Sequence, residues 1–275
     1  MSDNITHAAR LIAEADALLI GAGAGMGVDS GLPDFRGPEG FWRAYPPLAA
    51  RGISFENIAC PDWFEWEPRL AWGFYGHRLN LYRSTEPHAG FAILKRWAAQ
   101  KPHGAFVFTS NVDGQFQKAG FAPEQVIECH GSIHNFQCQR YHCGPVWSAA
   151  ETEVCVDETT LLADEPLPRC PTCGRIARPN LLMFGDGSWV GAPYDASERR
   201  LWSWQRELQA AHAKVVVIEL GAGRAIPTVR WLAEAWHGQG ATLIRINPRE
   251  ANVPDGAISL RLGACEALEQ LDALQ

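Results

Sequence analysis

Apolar residues in this chain fall into short continuous runs that alternate with longer stretches of helical periodicity. Buried strands are predicted where the apolar runs lie, at 17–20, 106–109, 126–128, 181–184, 215–220, 243–246 and 258–260. Helices are predicted at 6–14, 91–99, 197–212 and 228–239. Continuous apolar runs are typical of parallel strands covered on both faces, so the alternation predicts an α/β protein.

Two segments interrupt this alternation. Residues 38–86 are rich in aromatic side chains and are predicted to be mostly helical, and residues 133–178 hold paired cysteines around an acidic, strand-poor middle. We expect both to leave the sheet and to build a smaller domain together. The predicted fold is a Rossmann-like parallel sheet domain, formed by 1–37, 87–132 and 179–275, with a smaller zinc-binding and helical domain formed by the two insertions.

Composition and charge exclude several classes of protein. The chain has 275 residues, of which 47% are hydrophobic and 20% charged, which is the balance of a soluble globular protein. Its net charge of −7 argues against a nucleic-acid partner. The N-terminus lacks the pattern of a signal peptide, and the best apolar run, Val215 to Leu220, is too short to span a membrane. A cytoplasmic location is expected.

Four of the eight cysteines form two close pairs, Cys138-x4-Cys143 and Cys170-x2-Cys173. In a chain without an export signal, close pairs bind metal more often than they form disulfides. Four thiolates complete a tetrahedral zinc site and leave no position for water, so the zinc is predicted to be structural. Cys155 and His142 are rival ligands, and four free buried thiols are the alternative.

A glycine-rich turn, Gly21 to Gly27, comes directly after the first strand. Such a turn can bring backbone N–H groups close to a phosphate. The dinucleotide fingerprint G-x-G-x-x-G fails, because its last position falls on Met26 or Val28. This disfavours a dehydrogenase, and a tight turn without a ligand remains the alternative.

Several motifs stand in order along the chain. Gly-Ala-Gly-Met-Gly-Val-Asp-Ser-Gly-Leu-Pro-Asp-Phe-Arg-Gly lies at 23–37, Thr-Ser-Asn-Val-Asp at 109–113, Cys-His-Gly at 129–131 and Arg-Pro-Asn-Leu-Leu-Met-Phe-Gly-Asp at 178–186. Taken together with the paired cysteines, they resemble the sirtuins, a family of NAD-dependent protein deacylases. The first three are similar to the family's first, second and third signatures, and 178–186 is similar to its substrate-binding segment. The paired cysteines match its zinc module, and 221–223 and 246–247 stand in the places of two later nucleotide motifs.

The chain departs from the family pattern at three places where the cofactor would lie. Met26 and Gly27 come after the Gly-Ala-Gly, Ser110 replaces a glutamine, and Ala222-Gly223 replaces a Thr/Ser-Ser pair. The resemblance nevertheless implies NAD as the ligand.

The resemblance also implies a reaction and the residues for it. An acyl-lysine oxygen attacks the nicotinamide ribose, nicotinamide leaves, and His130 acts as the base in transferring the acyl group to a ribose hydroxyl. Asn111 would orient the ribose and Asp113 would bind the carboxamide, although Asp113 capping the next helix is an alternative. Phe35 would shield the sugar from water. The implied cofactor-binding residues are Gly23, Ala24, Gly25, Asp34, Phe35, Arg36, Ser110, Asn111, Asp113, Gly221, Ala222, Gly223, Asn247 and Cys265.

The implied partner is an acyl-lysine protein or peptide. We expect 179–185 to be an exposed edge strand that a peptide joins, with Leu182, Phe184 and Gly185 in contact with it; an ordinary inner strand is the alternative. Tyr75 and Arg78 resemble a pair that binds the carboxylate of acidic acyl groups. Because they are three residues apart, they share a helix face. Alternatively, Arg78 pairs with a carboxylate such as Glu65 or Glu67.

The sequence thus predicts a protein lysine deacylase that uses NAD and zinc. A mono-ADP-ribosyltransferase or NAD glycohydrolase of the same fold is the first alternative. A non-enzymatic module that senses NAD is the second.

Overall fold

A computed structural model describes residues 2–33, 37–140 and 143–275. Its strands are β1 Ala17–Ala22, β2 Ala105–Thr109, β3 Val126–Glu128, β4 Gly131–Cys138, β5 Trp147–Ser148, β6 Val156–Asp157, β7 Leu162–Ala163, β8 Ala177–Leu181, β9 Val215–Leu220, β10 Thr242–Ile246 and β11 Ile258–Leu260. Its helices are α1 Ser2–Ala13, α2 Gly37–Ala44, α3 Pro46–Ala50, α4 Phe55–Ile58, α5 Trp63–Trp66, α6 Pro68–Ser84, α7 Ala89–Gln100, α8 Gln115–Lys118, α9 Ala192–Ala210, α10 Thr228–Gly238 and α11 Ala264–Asp272.

The larger sheet is parallel, in the order β11-β10-β9-β1-β2-β3. Strand β1 lies inside it, with Leu18 opposite Ala105 on one side and Val216 on the other. Every residue of β1 is buried, as expected for a strand covered on both faces. The predicted α/β fold with a Rossmann-like sheet is confirmed.

Alternating residues of β1 divide the core between the two faces. Leu18 and Ile20 pack with α1, α7 and α11, whereas Leu19 packs with α9 and α10 on the other face. The sheet is therefore a rigid middle layer, and its strands all present their carboxyl ends at one edge.

The two insertions form a second core beside that edge. Residues 38–86 are helical, as predicted, and α6 packs against strands from the second insertion; the indole of Trp72 donates to the carbonyl of Ala177 at 2.9 Å. The described middle of 133–178 is strand-poor, as predicted, since β5, β6 and β7 have two residues each, but strand β4 at its start was not predicted. This segment holds most of an antiparallel sheet, β5-β4-β8, and the pair β6-β7.

The strand predicted at 181–184 was wrong in its bounds. The strand is β8, which ends at Leu181, and the next residues form a turn in which the N–H of Asp186 donates to the carbonyl of Met183 at 3.3 Å. Strand β8 lies at the edge of its sheet, although its residues are buried. Across the described ranges, no helix is long and apolar enough to cross a bilayer.

Candidate functional site

A cleft of about 710 Å³ opens at the carboxyl edge of the parallel sheet. Its floor comes from loops that come after β1, β2, β3, β9 and β10, and its walls come from α4, α6 and the residues after β8. From β1 the chain continues to β2 on one side of the sheet, whereas from β9 it continues to β10 on the other side. Open α/β sheets bind ligands in the crevice where the connections diverge in this way.

The loops after β1 and β9 meet backbone to backbone. A Cβ on Gly23 would lie 2.6 Å from the Cα of Ala222, and one on Gly221 would lie 2.4 Å from the Cα of Gly25. Gly221 also has a φ of +59°, which favours glycine. No side chain fits between the loops, and Ala24, Gly27 and Gly223 of these loops line the cleft.

The end of β2 supplies polar side chains to the same cleft. The amide of Asn111 donates to the carbonyl of Gly23 at 3.1 Å, which ties it to the loop after β1. Asp113 lines the cleft and accepts from the N–H of Gln115, the first residue of α8, at 3.0 Å; the N-cap of that helix is Gly114. Burial raises the pKa of Asp113 to about 6. Ser110 also lines the cleft.

His130 lies between β3 and β4, two residues after the end of β3, and lines the cleft. Its carbonyl accepts from the N–H of Leu182 at 2.9 Å, which joins it to the segment after β8. Burial lowers the pKa of His130, and a hydrogen bond to the Ser110 backbone partly offsets this effect. The imidazole is therefore neutral near pH 7 and can accept a proton.

Glu128, at the end of β3, was missed from the sequence. One of its carboxylate oxygens is buried without a hydrogen-bond partner among the described residues. Burial and the charge of Asp113 raise its pKa to about 8. An acidic residue two positions before a candidate base is the signal that could have found it.

Tyr75 and Arg78 of α6 both line the cleft. The guanidinium of Arg78 donates to the hydroxyl of Tyr82 from Nε at 3.0 Å and from Nη2 at 2.6 Å. Glu67 pairs with Arg51 instead, at 2.6 Å. Tyr82 was missed, although its position four residues after Arg78 on a predicted helix was the signal.

Leu182 and Phe184 lie exposed at the mouth of the cleft. The N–H of Phe184 donates to the carbonyl of Ala59 at 2.8 Å, and the Phe184 ring contacts that of Phe55. Gly185 forms part of the turn but does not line the cleft. Phe55, from the first insertion, had no signal in the sequence.

Some predicted cofactor residues lie behind the cleft surface. Asn247 is fully buried; its amide donates to the carbonyl of Ala222 at 3.1 Å, and its oxygen accepts from the N–H of Glu250 at 2.9 Å. Cys265 is the second residue of α11, and its N–H donates to the carboxylate of Asp29 at 2.9 Å. Like Gly23, Gly25, Gly221 and Ala222, they do not line the cleft. The predicted residues Asp34, Phe35 and Arg36 are outside the described residues.

The four paired cysteines converge away from the cleft. The sulfur atoms of Cys138, Cys143, Cys170 and Cys173 all lie within 4.8 Å of one another, and two of the separations are 3.6 and 3.8 Å. Four sulfurs at ~2.3 Å from one zinc ion would stand about 3.8 Å apart, so the arrangement fits zinc. Cys155 is not in this cluster, and His142 is outside the described residues.

The fold, the cleft and the four-cysteine cluster together define a class of protein. It is an α/β protein with a ligand cleft at the carboxyl edge of a Rossmann-like sheet and a four-cysteine zinc module in an insertion. Comparison with known proteins identifies the family: a profile described as "Sir2 family" matches residues 23–196. The chain belongs to the Sir2 family.

Curated relatives and solved structures agree with this assignment. An "NAD-dependent protein deacylase" of Aquifex aeolicus is 32% identical over 84% of this chain and 83% of its own length. A protein of the same name from Aeropyrum pernix is 29% identical over 97% of this chain and 96% of its own. A mutant Sir2 homologue, solved as an ADP-ribose complex, is 26% identical and superposes with a TM-score of 0.73, covering 98% of this chain and 95% of that one.

Proposed function

We propose that this chain is an NAD-dependent protein lysine deacylase that releases nicotinamide and O-acyl-ADP-ribose. The observation that carries the proposal is that predicted site residues from distant parts of the chain line one cleft. The ends of four parallel strands, the helix α6 and the turn after β8 are far apart in sequence, yet all of them contribute predicted site residues to the same 710 Å³ space. Membership in the Sir2 family and the names of its relatives support the same activity.

The floor of the cleft suits a dinucleotide. Its two glycine loops are too close for side chains, so backbone groups can approach a phosphate there. We assign the binding of NAD to Ala24, Gly27, Ser110, Asn111 and Gly223, with Gly23, Gly25, Gly221, Ala222 and Asn247 supporting the loops from behind. NAD supplies the activated ribose to which the acyl group is transferred. The roles implied for 34–36 and for Cys265 stay predictions.

The chain's own acid–base chemistry centres on His130. Its imidazole is neutral at pH 7, so it can accept a proton from a hydroxyl placed in the cleft. Asp113 has a pKa of about 6 and its carboxyl group is held by α8, which places it to bind an amide without being free to move. Asn111 is oriented by its bond to the loop after β1.

The mouth of the cleft suits an acyl-lysine peptide. Leu182 and Phe184 expose apolar side chains there, and a peptide backbone can lie beside their turn. Tyr75 and Arg78 line the same cleft. We propose that Arg78 favours an acyl group ending in a carboxylate, because a guanidinium pairs with a carboxylate through two parallel hydrogen bonds.

The cysteine cluster is proposed as a structural zinc site, because its four ligands leave no open coordination position. The division into 1–37, 87–132 and 179–275 against 38–86 and 133–178 is part of this proposal. It agrees with the separate hydrophobic cores of the sheet and of the insertions. The cytoplasmic location and the lack of a nucleic-acid or membrane partner stay predictions.

The test is product analysis. The zinc-loaded chain is incubated with NAD and a panel of acetyl-, succinyl-, malonyl- and glutaryl-lysine peptides, and the products are identified by mass spectrometry. We expect deacylated peptide, nicotinamide and O-acyl-ADP-ribose. An ADP-ribosylated protein would identify a mono-ADP-ribosyltransferase, ADP-ribose without deacylated peptide would identify a glycohydrolase, and NAD binding without nicotinamide release would identify a sensing module.

A variant tests the assignment of the base. His130→Ala should reduce deacylation by about two to four orders of magnitude, which is the usual contribution of a general base. Its zinc content and unfolding temperature should stay unchanged. His7→Ala, at an exposed position of α1, is the matched control and should keep full activity. Near-normal turnover of the His130 variant would overturn the assignment.

A further inference from the structure

The side chain of His88 joins helix α7 to the loop that floors the cleft. His88 is the N-cap of α7, and its Nδ1 accepts a hydrogen bond from the N–H of Gly90 at 3.0 Å. On the other side of the ring, Nε2 lies 2.9 Å from the carbonyl oxygen of Met26. The backbone N–H of His88 also donates to the hydroxyl of Ser30 at 3.0 Å.

These bonds determine the tautomer of the ring. Because Nδ1 accepts from Gly90, it carries no proton, so Nε2 carries the proton and donates it to Met26. A helix cap by itself needs only a short side chain such as Asn, Asp or Ser. The imidazole makes the cap and, in addition, reaches the carbonyl of Met26.

The surroundings of the ring fit it closely. A Cβ on Gly90 would lie only 2.7 Å from the Cε1 of His88, so the backbone of Gly90 makes room for the ring. The ring of Phe91 packs against it with centroids 4.9 Å apart. The ring therefore has one well-defined position between α7 and the loop.

The loop has two sides. Ala24 and Gly27 face the cleft, whereas Met26, which lies between them, is fully buried and is held by His88. Asp29 is tied from behind as well, by the N–H of Cys265. The shape of the floor is thus set by contacts on its far side.

We propose that His88 is a positioning residue for the cofactor: by holding Met26 and Ser30 it fixes the loop whose other side receives NAD. This inference rests on the proposed function, because NAD is taken as the ligand. His88 itself does not line the cleft. Its effect is on NAD binding, and it should leave the binding of the acyl peptide unchanged.

Two substitutions separate the two bonds of the ring. Asn places a polar atom near the position of Nδ1, so His88→Asn keeps the cap and loses the bond to Met26. Gln places an NH2 donor near the position of Nε2, so His88→Gln keeps that bond and loses the cap. NAD affinity is measured by titration calorimetry on the full, zinc-loaded chain, and the unfolding temperature is measured on the same samples.

We expect His88→Asn to raise the Kd for NAD by about three- to tenfold, the effect of one lost hydrogen bond, and to lower the unfolding temperature no more than His88→Gln does. His88→Gln should lower the unfolding temperature and keep the Kd within about twofold of the wild type. Equal Kd values for His88→Asn and the wild type would overturn the inference. If the wild type itself did not bind NAD, the proposed function would fail instead. If His88→Asn did not fold, a Kd for His88→Gln raised as much as tenfold would overturn the inference.

Discussion

Replacing Asp186 by Ala should destabilise the chain more than an ordinary surface substitution would. The carboxylate of Asp186 pairs with the Nη2 of Arg178 at 2.8 Å, and neither side chain is exposed to solvent. It also accepts from the N–H of Ser188 at 2.9 Å and from the N–H of Met183 at 3.4 Å. In Asp186→Ala, the guanidinium of Arg178 would stay buried without its counter-charge.

The magnitude depends on that burial. Removing one partner of a buried ion pair typically costs about 3–5 kcal/mol, because the remaining charge has lost both water and its partner. Asp186→Asn keeps an oxygen acceptor but loses the charge, so we expect a smaller loss of about 1–3 kcal/mol. The pair Arg51–Glu67 is the control: it is as short, at 2.6 Å, but its side chains are 42% and 44% exposed. Glu67→Gln should therefore change stability by less than about 1 kcal/mol.

The assay is urea unfolding of the zinc-loaded variants, followed by circular dichroism, with the free energies compared at matched m-values. The order of loss should be Asp186→Ala, then Asp186→Asn, then Glu67→Gln. If Asp186→Ala and Glu67→Gln lost the same amount, burial would not be what makes the Arg178 pair important, and the reasoning would be refuted.

Three further predictions concern other groups. Cys170→Ala should remove the zinc and lower the unfolding temperature, because the binding energy of a structural zinc is folding energy, while Cys155→Ala should keep both; metal analysis showing the reverse would contradict the ligand set. Arg78→Met should reduce turnover of a succinyl peptide by at least about tenfold and leave acetyl-peptide turnover equal or higher, whereas equal losses would give Arg78 a structural role only. Glu128 has a pKa raised to about 8, so the folded chain holds a proton that the unfolded chain releases near 4.5. The unfolding temperature should therefore fall as pH rises from about 5 to 8, and an equally steep fall in Glu128→Gln would contradict this reasoning.

The sequence predicted the parallel sheet well because its strands are apolar on both sides. The run from Val215 to Leu220 is an example: as β9 it lies between β1 and β10, and helices cover its two faces. In such strands the pattern of hydrophobic residues is a direct result of burial.

The strands of the second insertion were missed because they bury polar residues. Gln137 of β4 is almost fully buried. Its side-chain Oε1 accepts from the side-chain amide of Asn180 at 2.8 Å and from the backbone N–H of Val190 at 3.0 Å. Because these polar groups hydrogen-bond to one another, the strand can be buried without a run of apolar residues in its sequence. Because the partners lie 43 and 53 residues away, a local pattern gives no sign of them.

The sequence predicted those residues of the candidate site that belong to short local motifs. His130 and Asn111 come after strands that were visible in the sequence, and both line the cleft. The sequence did not indicate that Asn247 would support the loop after β9, because that depends on the distance between two loops.

The backbone contact between Gly23 and Gly221 has a consequence for the descent of this chain. A methyl group on either residue would collide with the opposite loop, so neither position can drift by itself while the two strands keep their spacing. The sequences of the two loops therefore constrain each other. A lineage that acquired a side chain at one of them would have to respace β1 and β9, and with them the whole carboxyl edge of the sheet.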